Sequence, residues 1–166
     1  MASFFNNKLI LFIIIILFFN LPKTGAQTGF NVSKGPSVQF FFNSSSKFST
    51  GIEYLDFIEI RVYNDGTRPA GSNWEIVASL EAPFDNSMPG EVVELEATDP
   101  GIPGIFVDGP KQLSTTPELL IHSTENVIDL PISITIRVGT NAGFRVSGYP
   151  FGYYPNSIRL HINFYP

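Results

Sequence analysis

The sequence predicts an all-β protein, an antiparallel β-sandwich that occupies residues 27–166 as a single domain. Several segments alternate apolar and polar residues with a period of two, which is typical of half-buried strands. Glycine, proline, asparagine and aspartate are dense between these segments, where turns are expected. No window shows the repeated apolar spacing of an amphipathic helix. A domain of about 140 residues is long enough to bury its own core.

The clearest strand patterns lie in residues 73–81, 132–138 and 158–164. Each segment places apolar side chains at alternate positions with mainly polar residues between them, and most of these apolar residues are β-branched or aromatic. We expect their inward faces to form much of the core. The residues predicted to face inward are Trp74, Ile76, Ala78, Leu80, Ile132, Ile134, Ile136, Val138, Ile158, Leu160, Ile162 and Phe164.

The remaining predicted elements are shorter or less regular. Weaker strand patterns cover residues 38–42, 54–63, 92–97, 118–122 and 144–149. Asp56 interrupts the alternation in the second of these. A long loop is predicted at residues 99–104, because this segment is rich in proline and glycine. A hairpin turn between two strands is predicted at residues 141–143. Residues 27–37 are predicted to form an extended arm.

The first 26 residues have the pattern of an export signal. Lys8 precedes an uninterrupted apolar run of 11 residues, 9–19, and small residues at Thr24 and Ala26 fit a cleavage site before Gln27. A membrane anchor is the alternative, but a span needs about 20 apolar residues. Since no second apolar run follows, we expect a secreted or cell-surface protein with no transmembrane span after cleavage.

Composition narrows the classes of partner and cofactor. The chain has 15 acidic and 10 basic residues, a formal net charge of −5, and no cysteine. An acidic chain without a basic cluster argues against nucleic acid as a partner, because the phosphate backbone attracts lysine and arginine. The lack of cysteine excludes disulfides, thiolate metal sites and a thiol nucleophile. No cofactor and no metal site are predicted.

No set of residues in the sequence forms a recognisable catalytic motif. His161 falls on the outward face of its strand, and His122 ends an apolar run, where a loop or edge position is predicted. Glu94 and Glu96 share one face of a strand and resemble the paired carboxylates of a glycosidase. Alternation nevertheless places both on the solvent face, so we expect a non-enzymatic protein. Three loop carboxylates lack the spacing of a calcium loop and are expected to be ordinary turn residues: Asp85, Asp99 and Asp108.

Aromatic residues are concentrated in 149–154, with the sequence YPFGYY. Exposed rings on a loop can stack on sugars or anchor a protein interface. A carbohydrate-binding module that contacts glycans through this loop is therefore one functional hypothesis. The alternative is that the rings cap the end of the core. The four candidate binding residues are Tyr149, Phe151, Tyr153 and Tyr154.

Two segments resemble small exported β-sandwich proteins of bacterial surfaces. Gly71 with residues 73–77 (NWEIV) and residues 152–162 (GYYPNSIRLHI) are similar to the spore coat protein U and fimbrial, pilin-like subunit group. The resemblance implies an immunoglobulin-like or pilin-like sandwich and a structural or adhesive subunit that acts in cell adhesion. It also implies that the last strand contacts another subunit or a chaperone, through Ile158, Leu160, Ile162, Phe164 and the penultimate Tyr165. Such proteins usually carry a disulfide, which this chain lacks.

The resemblance also suggests how such a subunit would assemble. A sandwich with an incomplete sheet can accept an extended segment from a copy of itself or from another envelope subunit. Residues 27–42 offer alternating apolar side chains for this, beginning with Phe30 and Val32. The alternative is that the segment is the protein's own first strand, which we favour for 38–42 and leave open for 27–36.

Overall fold

The computed structural model describes residues 29–37, 39–63, 73–84, 88–124, 129–149 and 156–165. Within them, nine strands form two antiparallel sheets that pack against each other, which confirms the predicted all-β sandwich. The strands are β1 (Gly29–Lys34), β2 (Ile52–Tyr63), β3 (Asn73–Leu80), β4 (Val93–Ala97), β5 (Ile105–Val107), β6 (Lys111–Gln112), β7 (Glu118–Ser123), β8 (Leu130–Val138) and β9 (Ile158–Tyr165). A short helix, α1 (Ser45–Thr50), precedes β2, and 3₁₀ turns occupy Gly90–Val92 and Val146–Gly148.

The two sheets differ in width. Sheet A has five strands in the order β1-β2-β8-β4-β6, and sheet B has four in the order β5-β7-β3-β9. Across the interface, β7 contacts β4 and β6. Given the strand order of each sheet, this contact places β3 opposite β8 and β9 opposite β2. Among the described strands, none of sheet B is then left to face β1.

The core forms where the inward faces of both sheets meet. The alternation predicted for β3 and β8 is confirmed, because Trp74, Ile76, Ile134 and Ile136 are all 2% exposed or less. The inward residues of β2, β4 and β7 complete the same cluster. Burying side chains of this size contributes about 1.5–3 kcal/mol each relative to exposure, before the entropy of ordering is counted.

Strand β2 has a bulge at the residue that breaks its pattern. The pairing of β2 with β8 shifts register between Tyr54 and Ile58, and Asp56 adopts a left-handed φ of 46°. The Asp56 backbone N–H donates to Thr135 Oγ1 at 3.1 Å, and its carboxylate accepts from Thr98 Oγ1 at 2.8 Å. These bonds hold the extra residue in place, which explains why a polar residue interrupts the alternation.

Residues 38–42 were predicted as a strand, and this prediction is wrong for the described residues 39–42, which belong to no strand. Val38 lies outside the described residues. The aromatic rings of this segment pack locally instead of facing across a ladder, since Phe40 lies 5.1 Å from Tyr54 and Phe42 lies 5.4 Å from Phe48 between ring centroids. The chain reaches them through Gly35, whose φ of 67° turns it away from β1.

Residues 144–149 were also predicted as a strand, and this segment is instead a turn that contains a 3₁₀ helix. The Phe144 N–H donates to the Asn141 carbonyl at 3.0 Å, and the Arg145 guanidinium donates to the Gly139 carbonyl at the same distance. Residues 141–143 therefore form a turn, but they do not join two strands. Local hydrogen bonds satisfy the backbone here, which a strand pattern in the sequence does not reveal.

Candidate functional site

Strand β9 is a long and regular edge. It pairs with β3 over eight residues without a register shift. Among the described residues, no strand pairs with its other side. Natural sheets usually protect their edges with prolines, bulges or very short strands, and β9 has none of these. Over the described residues, this edge of β9 is therefore available to pair with another strand.

The inward side chains of β9 are only half-buried, in contrast to those of β3 and β8. The residues concerned are Ile158, Leu160, Ile162 and Phe164, which pack against the core cluster from its margin. The prediction that β9 faces inward is confirmed, but its contribution to the buried core is smaller than expected. An edge position explains the difference, because a strand with one neighbour is covered from one side only.

Strand β1 leaves part of its inner face uncovered. Phe30 and Val32 pair with Val62 and Ile60 of β2, which are buried, so all four side chains point to the inside of the sandwich. Val32 is nevertheless 40% exposed. The reason is the narrower sheet B, which does not extend over β1. Residues 29–34 of the predicted arm are thus the chain's own first strand, with a bulge before Lys34.

We call this side of the molecule the open step, defined by the free edge of β9 and the uncovered inner face of β1. It combines backbone groups available for pairing with apolar side chains available for burial. Both are what an added strand needs, since main-chain hydrogen bonds supply affinity and alternate side chains supply specificity.

The outer face of β9 is polar and hydrogen-bonded to β3 and the chain that follows it. Arg159 forms a 2.6 Å ion pair with Glu81. Asn163 donates to Glu75 at 3.0 Å, and the Tyr165 hydroxyl donates to the same carboxylate. The Tyr165 and Asn163 hydrogen bonds hold the pKa of Glu75 below its usual value, against a smaller opposing effect of burial. The hydrogen bond between the Tyr165 hydroxyl and Glu75 raises the pKa of Tyr165.

The predicted glycan-binding loop is only partly described. Tyr149 is half-buried and packs against the core, and its N–H donates to the Val146 carbonyl at 3.1 Å. Phe151, Tyr153 and Tyr154 lie outside the described residues. The one ring that is described therefore contributes to closing the end of the sandwich.

The carboxylates considered for catalysis and calcium are engaged in local contacts. Glu94 and Glu96 both pair with Arg137, at 3.0 and 2.7 Å. Asp99 accepts the Gly101 N–H at 2.8 Å, and Asp108 pairs with Lys111 at 2.6 Å. Asp85 lies outside the described residues. Over the described ranges, no group of three or more potential metal ligands is found.

The sequence predicted the position of one histidine correctly and missed that of the other. His161 lies on the exposed outer face of β9, as predicted. His122 was expected in a loop or at an edge, but it lies in β7, an interior strand of sheet B, with its ring stacked on Phe106 at 5.0 Å. The predicted strand at 118–122 was the available signal, because it contains His122, but only the pairing of β7 with β3 places His122 opposite Glu75 on the outer face.

Comparisons with known proteins give no assignment. No family model matches the chain, and no curated protein matches it. In the described part of the chain, no helix has the length and apolar character needed to cross a membrane.

Proposed function

We propose that this chain is an exported, non-enzymatic structural subunit of a cell surface that associates with copies of itself by strand addition at the open step. The observation that carries the proposal is the eight-residue edge of β9, with which no second described strand pairs, beside the uncovered inner face of β1. In the assembly, β1 of each copy pairs with β9 of the other. This extends both sheets of both copies.

The shape of the open step is complementary to itself. Sheet A projects beyond sheet B by one strand, β1. A two-fold axis that runs parallel to the strands, midway between the two sheets, would relate the two copies. It would place sheet A of one copy in the same layer as sheet B of the other. The projecting β1 of one copy would then lie over the projecting β1 of its partner. Phe30 and Val32 of each copy then cover those of its partner. An interface in which the same patch occurs on both subunits is the commonest form of dimer.

Strand directions also support this arrangement. In sheet A, four successive antiparallel pairs connect β1 to β6 through β2, β8 and β4. Since the number of reversals is even, β1 and β6 run in the same direction. The Leu80 N–H at the end of β3 bonds the Ser114 carbonyl just beyond β6, so β3 and β6 end at the same pole of the sandwich. Since β9 is antiparallel to β3, it is also antiparallel to β1. Strands β1 and β9 of two copies would therefore meet as an antiparallel pair.

Export and a surface location rest on the pattern of residues 1–26, which lie outside the described residues. The resemblance to exported fimbrial-type subunits supports the same location. Adhesion is proposed as part of this role, since a subunit displayed on a surface presents its outer faces to other molecules. A protein that assembles through backbone pairing needs no cofactor.

The experiment is to measure the mass of the protein starting at Gln27, in solution and in the envelope fraction, before and after boiling. We expect dimers or larger species that survive electrophoresis unheated and dissociate on boiling. A variant lacking residues 27–36 removes β1 and should run as a monomer. A wild-type protein that is monomeric in both fractions would contradict the proposal.

Two single substitutions in β1 distinguish assembly from general damage. Val32→Lys places a charge on the inner face that the partner would bury, so we expect it to abolish association. Asn31→Lys changes the adjacent residue on the exposed outer face and should leave association intact. Equal behaviour of the two variants would show that the inner face of β1 is not part of the interface.

A further inference from the structure

A single row of side chains crosses all four strands on the outer face of sheet B. The register pairs Phe106 of β5 with His122 of β7, His122 with Glu75 of β3, and Glu75 with Asn163 of β9. Side chains directly opposite each other on neighbouring strands are within about 4.5–5.5 Å at Cβ. The row therefore places an aromatic ring, an imidazole, a carboxylate and an amide side by side on a solvent-facing surface.

The carboxylate of Glu75 is held in one orientation. Asn163 Nδ2 and the Tyr165 hydroxyl both donate to Oε1 of Glu75. Within the described residues, these two bonds leave Oε2 to accept from a ligand. A carboxylate fixed by two donors loses little freedom when it binds a hydroxyl group, which favours recognition.

Phe106 and His122 form a pair of stacked rings next to this carboxylate. Their rings are stacked with an interplanar angle of 19°, and Phe106 is 49% exposed. His122 Nδ1 is buried and has no hydrogen-bond partner among the described residues. The imidazole thus retains hydrogen-bonding capacity that this part of the protein does not use.

A shallow depression of about 300 Å³ lies beside the row, where β3 begins and where β7 and β9 end. This volume is at the lower end of the range of about 300–1,000 Å³ typical of small-molecule sites. Neutral polar groups outnumber charged ones around it. Its lining residues are Asn73, Trp74, Glu75, Leu119, His122, Ser123, Thr124 and Tyr165.

We propose that this depression binds one residue of a neutral, pyranose-type saccharide. The C–H face of the sugar would lie on Leu119 and the His122 ring, which line the depression, and would extend onto Phe106, which is stacked on His122 at its margin. The sugar hydroxyls would bond Glu75 Oε2, Asn73 and Thr124, which together donate and accept. A hydroxyl does both, whereas an ammonium group only donates and would leave the amide and hydroxyl donors unpaired.

This site lies on a different surface of the described fold from the open step. Saccharide binding would use side chains on the outer face of sheet B, whereas association uses the backbone edge of β9 and the inner face of β1. The two activities can therefore be lost separately. A surface subunit with such a site would present it outward in the proposed assembly.

Tryptophan fluorescence provides a direct test, because Trp74 is the only tryptophan of the chain and lines the depression. The probes are maltohexaose, cellohexaose, mannohexaose, xylohexaose and chitohexaose, each titrated to millimolar concentration. We expect at least one of them to shift or quench the Trp74 emission with saturation. If none of the five changes the emission or releases heat on calorimetric titration, the proposal is wrong.

Matched variants locate the binding. Phe106→Ala and Glu75→Gln should each raise the Kd of the active oligosaccharide about tenfold. Two matched controls change residues outside the depression and should leave the Kd unchanged. Phe41→Ala removes another exposed ring, which is 62% exposed. Glu81→Gln changes another glutamate that accepts a hydrogen bond at the end of a strand. Binding that survives both of the first two substitutions would place the sugar elsewhere and overturn the proposal.

Discussion

At the scale of single residues, Arg137 is the most connected charge among the described residues on the outer face of sheet A. Its guanidinium contacts Glu53, Glu94 and Glu96, which lie on the strands at either side of β8. The side chain is 18% exposed. Burial alone would lower the pKa of Arg137, but the hydrogen bonds that its guanidinium donates to the three glutamates raise it overall. The arginine therefore holds together three carboxylates that would otherwise repel.

Replacing this arginine tests that account. We expect Arg137→Met to lower the free energy of unfolding by about 2 kcal/mol, because three carboxylates lose their shared partner while the apolar volume is kept. Urea denaturation measures the change. Arg159→Met is the matched control, since its single pair with Glu81 is about half exposed on both sides and should contribute less than about 1 kcal/mol. Equal losses in the two variants would contradict a special role for Arg137.

Glu75 should make stability depend on pH. Its pKa in the folded protein is below the usual value of 4.5, so its ionised form stabilises the fold above that pH. This contribution disappears as the pH falls through the lowered pKa. We therefore expect the stability difference between wild type and Glu75→Gln to be larger at neutral pH than under strongly acidic conditions, as measured by urea denaturation. Tyr165→Phe removes one donor and should reduce the pH-dependent part; an unchanged pH dependence would refute this cause.

At the scale of elements, the junction between α1 and β2 depends on close backbone packing. Gly51 ends the helix with a φ of 79°, a conformation that residues with a Cβ rarely adopt. A Cβ there would lie 2.5 Å from the Val138 carbonyl oxygen and from the Thr140 nitrogen. Only glycine allows the chain to enter β2 directly against the end of β8.

A pair of glycine substitutions separates steric contact from backbone strain. Gly101 has a φ of 68° but nothing within 4 Å of a Cβ, so Gly101→Ala should cost only the strain of about 1–2 kcal/mol. Gly51→Ala adds backbone overlap and should lower stability by about 2 kcal/mol more, or prevent folding. Thermal unfolding of both variants measures the difference. Similar melting temperatures would show that the junction can move apart without loss.

At the scale of the whole molecule, the unequal width of the sheets determines where the sandwich is incomplete. On one side of the sandwich, the edge strands β5 and β6 are only three and two residues long. Such short edge strands limit pairing with another chain. At the opposite side, β1 and β9 offer six and eight residues. The open step is thus the side of the described fold that is suited to strand addition.

Engineered cysteines can test the proposed assembly by disulfide cross-linking. The chain has no cysteine of its own, so no native thiol would form competing cross-links. Asn31 and His161 lie on the outer faces of different sheets in one copy, too far apart for a disulfide, but would be neighbours in one extended sheet of the dimer. Combining Asn31→Cys with a cysteine at position 159, 161 or 163 samples the register. We expect one combination to give a cross-linked dimer on a non-reducing gel. Monomers in all three would contradict pairing between β1 and β9.

The sequence was sufficient to predict the elements whose patterns are long. Strands β3 and β8 each carry an apolar residue at every second position over seven residues, so their position and inward faces were predicted correctly. Strands β5 and β6 were missed because two or three residues cannot display a period. The row on sheet B was missed for a different reason: Asn163 and Glu75 are 88 residues apart, and only the register of the folded sheet brings them together.

The pairing of β3 with β9 also has a kinetic consequence. Strand β3 ends at Leu80, but its second neighbour does not begin until Ile158. Loops of this length must close before the contacts that stabilise them form, so folding should be slow, on a timescale of about milliseconds to seconds. A chain that emerges from its amino end would keep one edge of β3 uncovered until almost all of the described residues had appeared. During that interval it would be prone to aggregation, and a molecular chaperone would benefit it most.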